Sequence, residues 1–302
     1  MDMEEYIGVV TSLMMDPGDK TDAQAIKFAV SRIRDAGFIA IELAPAQFKA
    51  VAGRNAEIFL ENAFGEKERR GLREILKPFR IVTVHGSNII IHVPEGGEKK
   101  KEELWRPYLE LMRFARDVGV RLVTFHSLQS PKGGNLTNEE LIQCHVEFGK
   151  LAAEYAQRWN LFAGFELATN FKFFLENGII SRIGSRRFGF LFDLDHVALH
   201  FAKSADLTIP VLQVAEEYID KIFEFHAGGV QLTPQGLREH RPLDSLNILD
   251  HGKVLELLER KKFRGPIIFE IFYQISRPEQ VPGSFSENLE VCAAAKKQAL
   301  ER

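Results

Sequence analysis

Cysteine is scarce in this sequence: Cys144 and Cys292 are the only two in 302 residues, and they lie far apart without a C-x-x-C pair. A zinc ribbon or a disulfide framework needs several cysteines at close spacings, so the sequence argues against both. We expect the two thiols to be ordinary buried side chains.

Long apolar runs are also missing, because none approaches the ~18 residues that a membrane-spanning helix requires. The first residues, MDMEEYIGVV, begin acidic and lack a positive segment followed by an apolar one. That pattern marks secretory signal peptides. We therefore expect a cytoplasmic location and no membrane partner.

Two phosphate-binding motifs do not occur. No G-x-G-x-x-G follows the first predicted strand and no G-x-x-x-x-G-K is present, so nothing supports nucleotide binding at a glycine-rich loop. The formal net charge of −3 gives no global attraction to nucleic acid, although a local basic groove is compatible with it. Net charge therefore does not decide the substrate.

What the sequence does have is a regular alternation of strand and helix patterns. Hydrophobic residues make up 45% of the chain and charged residues 27%, which is typical of a globular protein with a large core. Apolar runs with strand character alternate with segments of helical periodicity. The predicted strands are 6–13, 38–43, 80–85, 120–126, 161–166, 188–193, 218–226 and 266–270.

This alternation is what a (β/α)8 barrel requires. We predict an α/β fold with a single TIM-barrel domain over residues 1–302. An open, doubly wound sheet is the alternative, and two smaller domains are the weaker option. Gly37 should end the first long helix, and Thr137 with Glu140 forms a capping box that should begin a later one.

Chemically active side chains close the predicted strands. In a TIM barrel the carboxyl ends of the strands form the catalytic face. A single carboxylate or imidazole there is most simply a core residue, a surface residue or a helix cap. Here such residues close one strand after another, and they are Glu42, His85, His126, Glu166, Asp193, His226 and Glu270.

Converging carboxylates repel one another and lose hydration unless they are protonated or bind a cation. A metal ion is the simplest compensation. Nitrogen and oxygen ligands without thiolate suit zinc, manganese, cobalt or iron, and argue against an all-oxygen calcium cage. The sequence therefore predicts a metal site at the carboxyl ends of the strands.

The segment FGFLFDLDHVALHF, residues 188–201, offers two pairings. His196 and His200 could share a helix face, or Asp193 and His196 could meet across the strand-to-helix turn. We favour the second, because a zincin pairing needs a glutamate beside the first histidine and HVALH has none. Asp195 is interpreted as the N-cap of the following helix.

Other polar residues receive simpler or open interpretations. Glu224 is either a buried carboxylate paired with a basic group or a support for a metal ligand. Arg238 and Arg241 are either solvated or hold a phosphate or polyol. Ordinary loop or helix positions are assigned to His92, His145 and His251.

These residues resemble the xylose isomerase-like barrel superfamily over nearly the whole chain. In its tagatose-epimerase branch, strands five to eight hold one divalent metal with Glu, Asp, His and Glu. By this resemblance the ligands are Glu166 in GFEL, Asp193 in FDLDH, His226 in FEFHAGG and Glu270 in IFEI. His196 resembles a histidine that contacts the substrate in that branch. Further candidate substrate contacts are Glu42, Arg238 and Arg241.

The endonuclease IV branch of the superfamily uses three zinc ions and more histidines. His85 in TVHGS, His126 in TFHSL and His196 resemble those histidines. His240 resembles the histidine of that branch's Asp-Arg-His triplet, but here the triplet reads Arg-Glu-His and lacks the aspartate. HRPLDSLNI also resembles the epimerase loop H-x-P-x-G-x-G-x-I with both glycines replaced. These four histidines are thus candidates for additional metal or substrate contacts.

The resemblance leaves three functional hypotheses. The first is an isomerase or epimerase, or a related dehydratase, that acts on a small sugar, sugar phosphate or polyol through an enediolate. It would use manganese, zinc or cobalt, with Glu166 and Glu270 transferring protons. The second is a multi-zinc phosphodiesterase acting on abasic DNA. The third is a barrel that binds sugar or metal without turnover. A homo-oligomer is compatible with each of them.

Overall fold

The structure is a computed structural model that describes residues 3–11, 22–45, 64–86, 99–128, 137–168, 170–234, 236–244, 246–271 and 285–300. Its strands are β1 Ile7–Val10, β2 Ala40–Leu43, β3 Ile81–Gly86, β4 Leu122–Phe125, β5 Phe162–Leu167, β6 Phe188–Asp193, β7 Ile222–Ala227, β8 Gly229–Thr233, β9 Gly236–Arg241 and β10 Ile267–Phe269. Its α-helices are Asp22–Asp35, Glu66–Leu76, Lys99–Val118, Asn138–Trp159, Phe171–Glu176, Ile179–Ile183, Leu194–Leu199, Thr208–Tyr218, His251–Arg260 and Phe285–Leu300. Short 3-10 helices span Met3–Tyr6 and Ile219–Lys221.

Eight of these strands close into a parallel barrel in the order β1-β10-β7-β6-β5-β4-β3-β2. Each neighbouring pair is parallel, including the closing pair of β1 with β10. The prediction of a (β/α)8 barrel is thereby confirmed. The extension of one domain over all of residues 1–302 stays a prediction.

The observed barrel strands lie within or overlap the predicted runs. The first is shorter than expected, at Ile7–Val10. The seventh begins only at Ile222, because Thr208–Tyr218 is helical and Ile219–Lys221 forms a 3-10 turn before it. The hydrophobic residues therefore predicted where the strands lie, while the neighbouring helices and turns determine where the strands begin and end.

The loop expected after the seventh barrel strand is instead a β-hairpin. Strands β8 and β9 pair antiparallel outside the barrel, with a register shift between Gly229 and Gln231. The amino-acid pattern showed little sign of this hairpin, because β8 and β9 are short and only partly buried. His240, in β9, has a φ of 54°, so its side chain leaves the normal alternation of the strand.

Alternation along β6 sorts its side chains as expected. Phe188, Phe190 and Phe192 are buried in aromatic contacts, including Phe188 with Phe165 and Phe192 with Phe225. The opposite side carries Gly189, Leu191 and Asp193. The phenylalanines belong to the hydrophobic core around the barrel, and Asp193 is left to face the barrel's carboxyl end.

Helix ends follow the predicted signals. Gly37 has a φ of 80° after the helix Asp22–Asp35, a conformation that glycine adopts without steric cost. Thr137 and Glu140 form a reciprocal capping box at the start of Asn138–Trp159. Within the described residues, no helix is both long and apolar enough to cross a membrane. Of the two thiols, Cys292 is buried and Cys144 only partly so.

His145 is a core histidine with both ring nitrogens occupied. Nδ1 lies 2.7 Å from the Leu141 carbonyl oxygen, to which it donates, and Nε2 accepts from the Leu128 amide at 3.0 Å. The rings of Phe165 and Phe174 pack against it. Burial lowers the pKa of His145 to about 4. The ordinary structural position predicted for His145 is confirmed.

Neutral His145 makes the folded state sensitive to acid. Its folded pKa lies below the unfolded value, so the unfolded chain binds the extra proton first and stability falls as the pH drops from 6.5 toward 4. His145→Gln should reduce this pH-dependent loss in the free energy of unfolding by up to about 3 kcal/mol. Urea unfolding across this pH range measures it. His200→Gln, at an exposed helix end, is the matched control. If the free energy of unfolding depended on pH equally in the two variants, this account would be contradicted.

Candidate metal centre

The barrel brings its strand-end carboxylates and imidazoles together in one buried cluster. The central group is Glu166 of β5, Asp193 of β6, His226 of β7 and Glu270 directly after β10, and all of them are buried. Each offers a ligand atom, and these atoms all lie within 4.8 Å of one another. Four adjacent strands thus converge on one point.

His226 lies at the middle of this group. Its Nδ1 is 2.9 Å from Glu270 Oε2, 3.9 Å from Asp193 Oδ2 and 4.0 Å from Glu166 Oε1. One ring nitrogen therefore faces all three carboxylates. The metal-ligand role of these four residues, predicted from the sequence, remains a prediction that this geometry supports.

Asp193 is held by the turn that follows its strand. It is the N-cap of Leu194–Leu199, and its Oδ1 accepts a hydrogen bond from the His196 amide at 3.0 Å. Oδ2 is buried and has no hydrogen-bond partner among the described residues. The side chain of His196 reaches back to within 3.7 Å of Oδ2, which is the strand-to-helix pairing that the sequence favoured.

The interpretation of Asp195 as an N-cap was wrong, because Asp193 occupies that position. Asp195 is fully buried and accepts a 2.6 Å hydrogen bond from the backbone amide of His240. Gly228 makes this approach possible, since a Cβ there would lie 2.4 Å from Asp195 Oδ2. Sequence reasoning missed Asp195 as an anchor of the hairpin. The only signal was the Asp-Leu-Asp repeat in FDLDH.

Two further histidines extend the cluster along β3 and β4. His126 Nδ1 lies 2.6 Å from Glu166 Oε2, and His85 Nε2 lies 3.9 Å from the same oxygen. The two rings meet at 3.0 Å between their Nε2 atoms. His85, His126 and Glu166 thus form a second group of potential metal ligands that shares Glu166 with the first.

The hairpin supplies a third pair of imidazoles. His240 Nε2 lies 3.1 Å from His196 Nε2, and His240 Nδ1 lies 3.0 Å from the Glu270 carbonyl oxygen. Among the described residues this pair does not belong to a group of three potential metal ligands. In the same hairpin, Arg241 is buried and Arg238 is exposed, and their proposed substrate contacts stay predictions.

Two more glutamates lie inside the barrel. Glu42 is fully buried, with Oε1 and Oε2 at 3.0 and 3.1 Å from His226 Nε2. Glu224 accepts a 2.7 Å hydrogen bond from Thr83. Burial, followed by the nearby Glu42, raises the pKa of Glu224 well above its usual range. Among the described residues Glu224 has no ion pair, so the basic partner of the first alternative is not found there, and support of a metal ligand stays a prediction.

The electrostatics of the cluster show how far charges compensate one another. Burial by itself favours a neutral Glu166, but His126, His85 and His226 lower its pKa well below the usual range. Burial opposes ionisation of Glu270 as well, and His226 and His240 nevertheless lower its pKa to about 2. Burial and then Asp195 raise the pKa of Asp193 well above its usual value. The histidines therefore favour the ionised form of Glu166 and Glu270 but do not overcome the effects of burial and of Asp195 on Asp193.

A divalent cation fits this arrangement. The donor atoms are carboxylate oxygens and an imidazole nitrogen without thiolate, a set that suits zinc, manganese or cobalt. The buried, unpartnered Oδ2 of Asp193 is the kind of orphaned acceptor that a cation satisfies. The cluster is consistent with a divalent metal site, and its residues do not select one metal.

Comparison with known families agrees with the fold and the cluster. The model of the xylose isomerase-like TIM barrel family matches residues 30–293. The chain belongs to this family. No curated protein sequence matches it.

Solved structures share the fold at low sequence identity. An L-ribulose 3-epimerase has 15% identity and a TM-score of 0.70, covering 98% of this chain and 94% of its own. A D-psicose 3-epimerase in the presence of D-fructose has 13% identity and a TM-score of 0.66, covering 98% and 96%. The IOLI protein with a bound zinc atom has 14% identity and a TM-score of 0.65, covering 98% of both chains. At these identities the likeness establishes the fold.

Asp193→Asn should separate metal binding from the stability of the metal-free protein. The raised pKa of Asp193 means that the folded state holds this proton more tightly than the unfolded chain. Its contribution to stability is therefore lost as the pH rises. Without metal, the Asp193→Asn variant should match or exceed wild-type stability at pH 8. With metal it should lose at least about 1.4 kcal/mol of metal-linked stabilisation, a tenfold weaker affinity.

Thermal unfolding with Zn²⁺ or Mn²⁺, and with a chelator, measures both effects. Asp220→Asn is the control, because Asp220 is exposed before β7, at the opposite end of the barrel. Equal stabilisation of Asp193→Asn and wild type by metal would show that Asp193 is not a ligand.

Proposed function

We propose that this protein is a divalent-metal-dependent isomerase or epimerase of a small sugar or polyol, with the metal held by Glu166, Asp193, His226 and Glu270. The observation that supports it most is the placement of two glutamates in one buried ligand group with a histidine and an aspartate. The structural neighbours include L-ribulose and D-psicose 3-epimerases. Their substrates are ketoses, and we extend that substrate class to this chain.

The chemistry requires a proton to leave the carbon beside a carbonyl group and to return. A bound divalent cation would polarise the carbonyl and the neighbouring hydroxyl. Glu166 comes from β5 and Glu270 follows β10, with β6 and β7 between them in the barrel. Their separate positions suit one glutamate to remove the proton and the other to return it, giving an enediolate between the two steps.

The protonation states of these glutamates agree with such a role. Neighbouring histidines overcome the effect of burial and lower the pKa of both. Both are therefore ionised near neutral pH, so either can remove the proton, and the other must first take up a proton from solvent before it returns one. His196, beside Asp193 and partly exposed, is the candidate to orient a substrate oxygen. Arg238 and Arg241 are the candidates to bind a phosphate if the substrate carries one.

Solvent isotope exchange tests this function directly. The metal-loaded protein, incubated in D2O with a panel of ketoses that includes L-ribulose, D-psicose and D-fructose, should place deuterium at the carbon beside the carbonyl. Glu270→Gln and Glu166→Gln, compared at saturating metal, should each lower the exchange rate by about 10²–10⁴-fold. NMR of the recovered sugar is the measurement.

The control is Glu217→Gln, which alters an exposed residue of the helix Thr208–Tyr218. Unchanged exchange in Glu270→Gln would refute its role in proton transfer. Metal binding without exchange on any polyhydroxy substrate would instead favour a barrel that binds sugar or metal without turnover.

A second candidate is hydrolysis of a phosphodiester at abasic DNA. One observation favours it: His85, His126 and Glu166 could hold another metal ion beside the first, as clustered zinc sites for phosphate chemistry require. Another observation counts against it: Arg238 stands where the Asp-Arg-His triplet of the endonuclease IV branch carries an aspartate. In this case the zinc-loaded protein should cleave an abasic duplex, and cleavage should be lost in His85→Ala and His126→Ala and weakened by salt. That result would establish this activity over the isomerase or epimerase activity.

A further inference from the structure

We propose that Glu42 is a positioning residue that orients His226 as a metal ligand, an inference that rests on the metal-dependent function proposed above. Both carboxylate oxygens of Glu42 are at hydrogen-bond distance from His226 Nε2, at 3.0 and 3.1 Å. Both side chains have 0% exposure. Bulk solvent therefore does not reach this contact.

The two nitrogens of His226 face different partners. Nε2 faces Glu42, while Nδ1 faces the carboxylates of Glu270, Asp193 and Glu166 at 2.9 to 4.0 Å. An imidazole binds a metal through the nitrogen that carries no proton, and the partner of the other nitrogen decides which one that is. A carboxylate accepts hydrogen bonds, so Glu42 keeps the proton on Nε2 and leaves Nδ1 for the metal.

The sequence predicted that Glu42 contacts the substrate. Its position beside His226 supports a role in orienting that histidine instead. The ring of His226 lies between Glu42 and the carboxylates of Glu270, Asp193 and Glu166, since its two nitrogens face different partners. Glu42 belongs to β2, separated in the barrel from β7 by β1 and β10. It therefore reaches across the interior to hold a ligand that is 184 positions away in sequence.

Zinc affinity of the full-length protein, measured by chelator competition, tests the proposal. Glu42→Ala should weaken zinc binding by about 10–100-fold, the usual effect of losing an outer partner of a metal ligand. Glu42→Gln keeps the shape and one acceptor oxygen, so its loss should be smaller. Glu110→Gln is the control. It changes another buried glutamate, which lies in the helix Lys99–Val118 and pairs with Arg113, and should bind zinc within about twofold of wild type.

Nitrogen-15 NMR of histidine-labelled, zinc-loaded protein supplies a second readout that a purely structural role would not change. The ring proton of His226, assigned with His226→Asn, should reside on Nε2 in wild type and in Glu42→Gln. In Glu42→Ala the same proton should exchange faster with solvent. Glu42→Gln also serves if Glu42→Ala fails to fold.

Three results would overturn the proposal. The first is equal zinc affinity in Glu42→Ala, Glu42→Gln and Glu110→Gln. The second is a proton on Nδ1 of zinc-bound His226. The third is a change in the number of zinc ions when Glu42 is replaced, because Glu42 would then be a ligand itself, in the group with His85 and His226. In each case wild type still binds zinc and the proposed function stands, whereas a wild-type protein that binds no zinc would remove both.

Discussion

The electrostatic cost of gathering carboxylates inside a barrel is the constraint on which the rest of this structure depends. Glu42, Glu166, Asp193, Glu224 and Glu270 are all buried, on the barrel strands or directly after the last of them. Without compensation, such a group loses hydration and repels itself. Histidines on neighbouring strands supply part of the compensation. The raised pKa of Asp193 indicates that they do not supply all of it, and a divalent cation is the further compensation that we propose.

The barrel and most of its cluster could be predicted from the sequence because both follow from local rules. Apolar runs located the strands, and the carboxyl end of a parallel strand is where a barrel places its chemistry. Asp193 and His226 close their strands in register with each other. The convergence of residues at successive strand ends can be predicted without knowing the long-range packing. The closed parallel barrel confirms this part of the reasoning.

What the sequence could not provide are contacts between distant elements. Glu42 meets His226 across the interior, and no local pattern indicates which carboxylate supports which ligand. The hairpin that carries His240 was expected to be a loop, because its strands are short and the register shift interrupts their alternation. A local rule assigned Asp195 to a helix cap, yet its carboxylate accepts a hydrogen bond from the His240 amide in the hairpin instead. Tertiary contacts decided each of these cases.

The number and position of bound metal ions test the central claim most directly. Crystals of protein purified without chelator, measured at the absorption edges of manganese, cobalt and zinc, would show each ion by anomalous scattering. The account predicts one ion per chain, within bonding distance of Glu166, Asp193, His226 and Glu270, with Glu42 on the far side of His226. A cluster without an ion after metal loading, or an ion bound elsewhere while Asp193 Oδ2 stays unligated, would contradict it.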